Sequence, residues 1–285
     1  MRIKPRYRLL CAILAGILAL VGAGLIWYRA DWRFRLGNAV RIYPRPELEV
    51  VTFQETERLS CADLASRGIE ENQLLLLINS THPLPEGFEP LLQEYNGARM
   101  HPAMVEDYVA LRDALEERTG QRIYVSSDYR SSVEQEEILV TSPDGIAAEV
   151  GHSEHEAGLA LDVYVKGFGG MSLIKTSAGR ELARICKDYG FVIRYPEGKE
   201  RITGTPYEPW HLRYVGQPHA SLMDRYGLTL EEYIALLEVG VWYDVGDYYV
   251  GRFAENEILF PSNESLEGCV SPDNTGYFII TLKKS

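Results

Sequence analysis

Three short stretches of this 285-residue chain carry side chains that could serve one chemical step. The first runs from Ser153 through His155 and Gly158 to Asp162, the second holds Glu208, Trp210, His211 and Arg213, and the third, upstream, holds Asp128, Arg130 and Ser131. Together they offer imidazoles, carboxylates and a guanidinium. A catalytic zinc site uses three protein ligands and keeps a fourth position open for water, and His155, Asp162 and His211 fit that requirement with one zinc per chain. Glu208 precedes His211 by three residues, across Pro209 and Trp210. A glutamate so placed can take the proton of an attacking water and pass it to a leaving amine. Arg130 offers planar donors to a carbonyl oxygen that gains charge, or to a terminal carboxylate of a substrate.

The spacing limits how such a site can be built. His155 and Asp162 are seven apart, and His211 follows Asp162 by 49 residues. Leu159 stands where a helical H-E-x-x-H motif would need its second histidine, so the pattern of a zinc-binding helix fails. Two ligands must come from a loop and the strand after it, the third from a distant strand, and Gly158 permits the tight backbone path between the first two. His152 is the rival ligand. It ranks second because H-x-x-H on an irregular loop lacks helical registration, and because Asp162 would then have no partner. His101 and His219, each beside a proline, read as loop or helix-entry residues, and His82 reads as exposed. Any one of these side chains alone would more often be structural; their joint occurrence carries the reading.

The elements that must position them can be read from periodicity and punctuation. Met104, Tyr108, Leu111 and Leu115 recur at helical spacing over 104–119, and Gly120 follows as a terminator. Residues 122–125 have the composition of a short strand, which delivers Arg130 to a junction where Ser131 caps a helix through Glu134. Over 159–165 the chain alternates, with Leu159, Leu161, Val163 and Val165 on one side and Ala160, Asp162 and Tyr164 on the other. A carboxylate in that pattern needs a partner, and a metal ion would supply one. A helix over 178–189 stops at Gly190, a strand occupies 191–193, and a further run ends at Tyr214-Val215. Thr229 and Glu232 form a capping box for the helix that carries Leu230, Tyr233, Ile234 and Leu237.

Composition bounds the rest. The formal net charge of -12, with no basic cluster beyond the first eight residues, argues against a nucleic-acid partner. Arg2, Lys4, Arg6 and Arg8 precede an uncharged apolar run over 9–28 that ends in Trp27-Tyr28. A run of that length can cross a bilayer as one helix, with the basic flank inside and everything after it outside. A cleaved signal peptide has the same charged start, but the apolar run is long for one and no A-x-A site follows it. Cys11 falls in this segment, and the pairing of Cys61, Cys186 and Cys269 is left open. The organisation expected is a membrane anchor over 1–29, a stalk and lead-in over 30–73, a domain over 74–239 that carries the zinc site and a small β-rich appendage over 240–285.

The paired motifs S-x-H-x-x-G-x-A-x-D, from Ser153 to Asp162, and E-x-W-H-x-R-Y-V-G, from Glu208 to Gly216, resemble those of the VanY-type D-alanyl-D-alanine carboxypeptidases. These sit in a wider metallopeptidase group with lysostaphin-like enzymes and the hedgehog signalling domain. Arg194-Tyr195-Pro196, Thr203-Gly204, Leu77-Ile78-Asn79 and His82-Pro83-Leu84-Pro85 extend the resemblance over about 74–238. It implies an α+β fold, a small antiparallel sheet flanked by helices with zinc in the cleft, held by His155, Asp162 and His211. It further implies Glu208 as catalytic base, Arg130 as the residue that polarises the scissile carbonyl, and Ser153 and Gln135 as residues lining the substrate site. Departures are Asp128 where glycine is usual, His152 where another residue is usual, and Ala157 in place of a common threonine; none removes a ligand. The expectation is a membrane-anchored, extracytoplasmic zinc carboxypeptidase that removes the terminal D-alanine from peptidoglycan stem peptides. L,D-carboxypeptidase or endopeptidase action on the same peptides, or a non-catalytic zinc-containing binding module, are the alternatives, and the presence of both Glu208 and Arg130 favours an enzyme.

Overall fold

The computed structural model describes residues 5–142, 147–262 and 266–284. The uncharged N-terminal run forms helix α1 (Pro5–Tyr28), followed by α2 (Ala30–Ala39). Among the described residues, however, no helix is long and apolar enough to cross a membrane, so the expected membrane crossing is not supported here. Arg2 and Lys4 of its basic flank lie outside the described residues.

Short elements follow: β1 (Glu49–Val51), β2 (Thr56–Leu59), α3 (Cys61–Leu64) and β3 (Ile69–Glu71), then a hairpin of β4 (Gln93–Tyr95) and β5 (Ala98–Met100). Helix α4 (Val105–Thr119) buries Val105, Tyr108, Leu111 and Leu115 and stops at Gly120, whose φ of 69° is cheap only for glycine. Strand β6 (Ile123–Ser127) then leads to α5 (Ser132–Thr141), opened by the expected capping box of Ser131 and Glu134. Next come β7 (Ala160–Val165), α6 (Ser177–Ile185), β8 (Phe191–Ile193), α7 (Glu200–Thr203) and β9 (His211–Tyr214). The helix expected over 178–189 is α6 with a tightened 3₁₀ turn, Cys186–Tyr189, at its end. Helices α8 (His219–Tyr226) and α9 (Leu230–Leu236) complete this part, the latter opened by the Thr229 and Glu232 box.

Strands β6, β7, β9 and β8 lie in that order in one antiparallel sheet. Leu161, Val163 and Val165 of β7 and Leu212 of β9 turn to one face, where they join Leu111, Leu115, Ile123, Leu182 and Phe191 in the main core. Alternation then forces Asp162 and His211 to the opposite face. The register pairs Asp162 directly with His211, and Ser127 with Asp162.

The chain ends in β10 (Val241–Val245), β11 (Tyr248–Phe253), β12 (Ile258–Pro261), β13 (Glu267–Pro272) and β14 (Phe278–Lys283). This segment does not stand as a separate appendage: β1 and β3 from the lead-in form the edges of its sheet, in the order β1-β10-β11-β14-β13-β3, and β12 pairs with β2. A second core, with Leu75, Leu77, Val215, Met223, Tyr233, Val250 and Ile279, fastens it to the zinc-site half.

Candidate active site and metal centre

His155 stands on a turn. Glu156 N–H donates to the Ser153 carbonyl at 3.1 Å and Gly158 N–H to the His155 carbonyl at 3.1 Å, with Gly158 at φ +69°. Ala157 and Leu159 pack against Leu76 and Ile78, so the lead-in buttresses the turn. The turn then feeds β7, which presents Asp162 beside His211 on β9 as cross-strand neighbours. Asp162 Oδ1 lies 3.5 Å from His155 Nε2 and 3.2 Å from His211 Nδ1. One ligand atom from each of the three lies within 4.8 Å of the others.

These separations fit a zinc ion. Ligands at about 2.0–2.2 Å on a tetrahedron stand about 3.3–3.6 Å apart, close to the two distances above. The bonding capacity left over agrees. His155 Nδ1 faces the Asp128 carbonyl at 2.8 Å, which places its proton there and leaves the Nε2 lone pair bare. His155 Nε2 and Asp162 Oδ1 are both buried without a hydrogen-bond partner. A lone pair facing a carboxylate in a dry site is costly unless a cation lies between them.

Burial alone would raise the Asp162 carboxyl, but His155 and His211 outweigh it and hold it well below the ordinary carboxylate range. Burial pushes His155 down. For His211, burial is overcome by the Asp162 and Glu154 carboxylates, which push it up to about 9. The same negative field draws a divalent cation.

Glu208 is held by a turn in which His211 N–H donates to its carbonyl at 3.2 Å, while its own N–H donates to Tyr195 O at 3.0 Å. Its Oε2 is 3.7 Å from His211 Nδ1, and burial raises its pKa, which suits a group that must accept a proton near neutrality. Trp210 packs against the main core, which leaves its neighbours to face the cleft. Arg130 N–H donates to the His155 carbonyl at 3.2 Å, tying the guanidinium's backbone to the ligand turn. Its Nη1 donates to Gln135 Oε1 at 2.9 Å, and Gln135 Nε2 in turn donates to Ala148 O at 2.7 Å. Arg130 Nε is buried with no partner, a donor in reserve. Ser153 is buried at the start of the ligand turn.

His152 is committed elsewhere, with Nδ1 2.7 Å from the Asn79 carbonyl. His101 caps the entry to α4, its Nδ1 accepting from Ala103 N–H at 3.2 Å, and His219 opens α8. His82 is half-buried rather than exposed, with Nδ1 3.0 Å from Asn79 Oδ1. The four cysteines are free thiols, and burial pushes Cys186 up to about 12.

Sequence reasoning missed Glu154, Arg194, Arg213 and Glu231. Glu154 Oε2 is 3.4 Å from His211 Nε2, and its Oε1 meets both arginines. The signal was available: Arg194 and Arg213 each follow apolar strand residues, and a cation inside a buried strand demands a buried anion.

A mixed α/β scaffold that brings two buried imidazoles and a half-buried aspartate to one face of a small antiparallel sheet, beside a glutamate and a guanidinium, is the framework of a zinc peptidase. Residues 97–217 match the VanY family, D-alanyl-D-alanine carboxypeptidase. The chain is 31% identical over 277 residues to a D-alanyl-D-alanine carboxypeptidase of Enterococcus faecium, covering 82% of this chain and 87% of that protein. It is similar to the solved structure of a variant of the vancomycin-resistance D,D-pentapeptidase VanY from the VanB-type cassette in complex with Zn(II), at 31% identity and a TM-score of 0.51, covering 56% of this chain and 98% of the other. It is also similar to the LdcB LD-carboxypeptidase, at 28% identity and a TM-score of 0.53, covering 67% of this chain and 95% of the other. The chain belongs to the VanY family of D-alanyl-D-alanine carboxypeptidases, and it is a zinc-dependent enzyme of that type.

Proposed function

We propose that this enzyme removes the C-terminal D-alanine from peptidoglycan stem peptides, with His155, Asp162 and His211 holding the zinc, Glu208 moving the proton and Arg130 binding the oxygen that gains charge. One observation carries the assignment: Asp162 and His211 are register partners on the catalytic face, and the buried Nε2 of His155 and Oδ1 of Asp162 lack any other partner. When bound, zinc supplies Lewis acidity, which polarises a carbonyl and lowers the pKa of a coordinated water toward neutrality. Glu208, its affinity for protons raised by burial, takes the proton of the attacking water and delivers it to the departing nitrogen of D-alanine. Arg130 directs its unused Nε–H toward the developing oxyanion, while Gln135 fixes the guanidinium from behind and so serves the substrate site through it. Ser153 lines the same site at the start of the ligand turn.

The working unit is the zinc domain over 74–239. We place it outside the cytoplasm, where its substrate lies, with the segment 1–29 as the anchor; the sequence pattern of an uncharged run over 9–28 behind a basic flank is what supports that placement.

The test is release of D-alanine from a pentapeptide stem. Glu208→Ala should lower it by about 10²–10⁴-fold while zinc content stays at the parent's level. If zinc is lost with the activity, Glu208 is a ligand and the proton assignment fails. Faster cleavage of a tetrapeptide stem by the parent enzyme would instead favour the L,D reading.

A further inference from the structure

The stretches that supply the ligands also carry charged residues that this reaction scheme does not use. Glu154 precedes His155, Arg213 follows His211 by two, and Arg194 directly follows β8. All three side chains are fully buried. Arg194 Nε and Arg213 Nη1 both donate to Glu154 Oε1, each at 2.6 Å. Arg194 also forks onto Glu231 of α9, with Nη1 to Oε2 at 2.9 Å and Nη2 to Oε1 at 2.7 Å. Arg213 spends its other donors on the carbonyls of Tyr214, Leu74 and Leu76. Two guanidiniums and two carboxylates thus form a closed, charge-balanced cluster. Within it Oε1 of Glu154 is saturated, and Oε2 is left facing His211 Nε2 at 3.4 Å, on the side of the ring away from Asp162.

We propose that Glu154 is a positioning residue for His211: its Oε2 accepts the Nε2 proton and so fixes the tautomer that leaves Nδ1 free for zinc, while Arg194 and Arg213 hold the carboxylate still and offset its charge. This inference rests on the reading of His211 as a zinc ligand. The two imidazoles are then anchored in matching ways. His155 donates from Nδ1 to a backbone carbonyl at 2.8 Å, a neutral acceptor. His211 donates from Nε2 to a carboxylate whose charge two arginines balance. Outer partners of this kind orient the ring and tune the ligand nitrogen. A purely structural cluster would need its arginines and carboxylates but would be indifferent to His211.

Glu154→Gln separates the two roles. The arginine donors would keep the amide oxygen at the Oε1 position, which turns the amide N–H₂ toward His211 and replaces an acceptor with a donor. Zinc affinity of the full chain, measured by chelator competition, should weaken about 10–100-fold. Glu231→Gln, which removes a charge from the same cluster but leaves the His211 contact alone, should stay within about 3-fold of the parent in zinc affinity by the same reasoning. Circular dichroism reports whether each variant folds. Long-range ¹H–¹⁵N spectra of the unaltered zinc-loaded chain give an answer that needs no variant: the His211 proton should sit on Nε2. A proton on Nδ1, or a folded Glu154→Gln chain with parental zinc affinity, overturns the proposal. His211→Ala with parental zinc affinity would overturn the ligand reading itself, and this inference with it.

Discussion

His219 is the side chain through which acid should loosen this protein at a seam away from the metal. It opens α8, is buried, and its ring nitrogens meet Tyr233 of α9 at 2.6 Å and Thr281 of β14 at 2.9 Å. No charged group compensates for its removal from water, and burial pushes its pKa from 6.5 down to about 3. At pH 8 the residue is neutral in both folded and unfolded chains and adds no pH dependence. As pH falls below 6.5 the unfolded chain binds a proton that the folded chain refuses, so stability drops until the folded value is reached. Between pH 6.5 and pH 5 the loss is about 1.5 pH units at about 1.4 kcal/mol each, or about 2 kcal/mol. That is a sizeable part of the roughly 5–15 kcal/mol that holds a domain folded. The measurement is urea unfolding at pH 8 and pH 5, in chelator, for the parent and His219→Gln. The metal-site groups titrate in both proteins and cancel in the comparison. The variant should lose about 2 kcal/mol less than the parent between the two pH values, whatever its stability at pH 8. Equal losses would show that His219 is not held neutral by burial.

Two further outcomes follow from named contacts. Arg130→Lys keeps a positive charge but loses the planar fork and its hold on Gln135 Oε1; D-alanine release, as kcat/KM, should fall about 10²–10³-fold, and parental activity would remove Arg130 from the oxyanion role. Gly179→Ala should reverse the usual gain from alanine in a helix, because the new Cβ would stand 2.2 Å from the Leu173 carbonyl oxygen. A loss of about 1–3 kcal/mol should appear as a lower calorimetric midpoint, and an unchanged midpoint would contradict the packing.

What could be read from the chain was whatever leaves a local trace. The alternation from Leu159 to Val165 predicted both strand β7 and the face on which Asp162 sits, and Gly120, Gly190, Ser131 and Thr229 marked helix ends through conformational and capping requirements that any fold must meet. Residues 49–71, by contrast, read as a lead-in because strands of three or four residues carry almost no periodicity, and their partners lie far along the chain. The role of Glu154 was hidden for a similar reason. Beside His155 it looks like that histidine's neighbour, and only the fold shows that its carboxylate faces the other one, 57 residues away. A helix does occupy the N-terminal apolar stretch, whereas a membrane crossing finds no support among the described residues.

The interleaving of the terminal sheet has a consequence for how the protein is made. Glu49 pairs with Asp244 and Ile69 with Gly268, so strands synthesised early wait for partners that arrive only after the entire zinc-binding half has been produced. The four strands of the sheet that carries Asp162 and His211, by contrast, all lie between Ile123 and Tyr214 and can assemble before that. Because distant pairings are slow to close, β1 and β3 are expected to join their sheet after the four-stranded sheet has formed. Until then their unpaired edges are where association or proteolysis of the nascent chain would start.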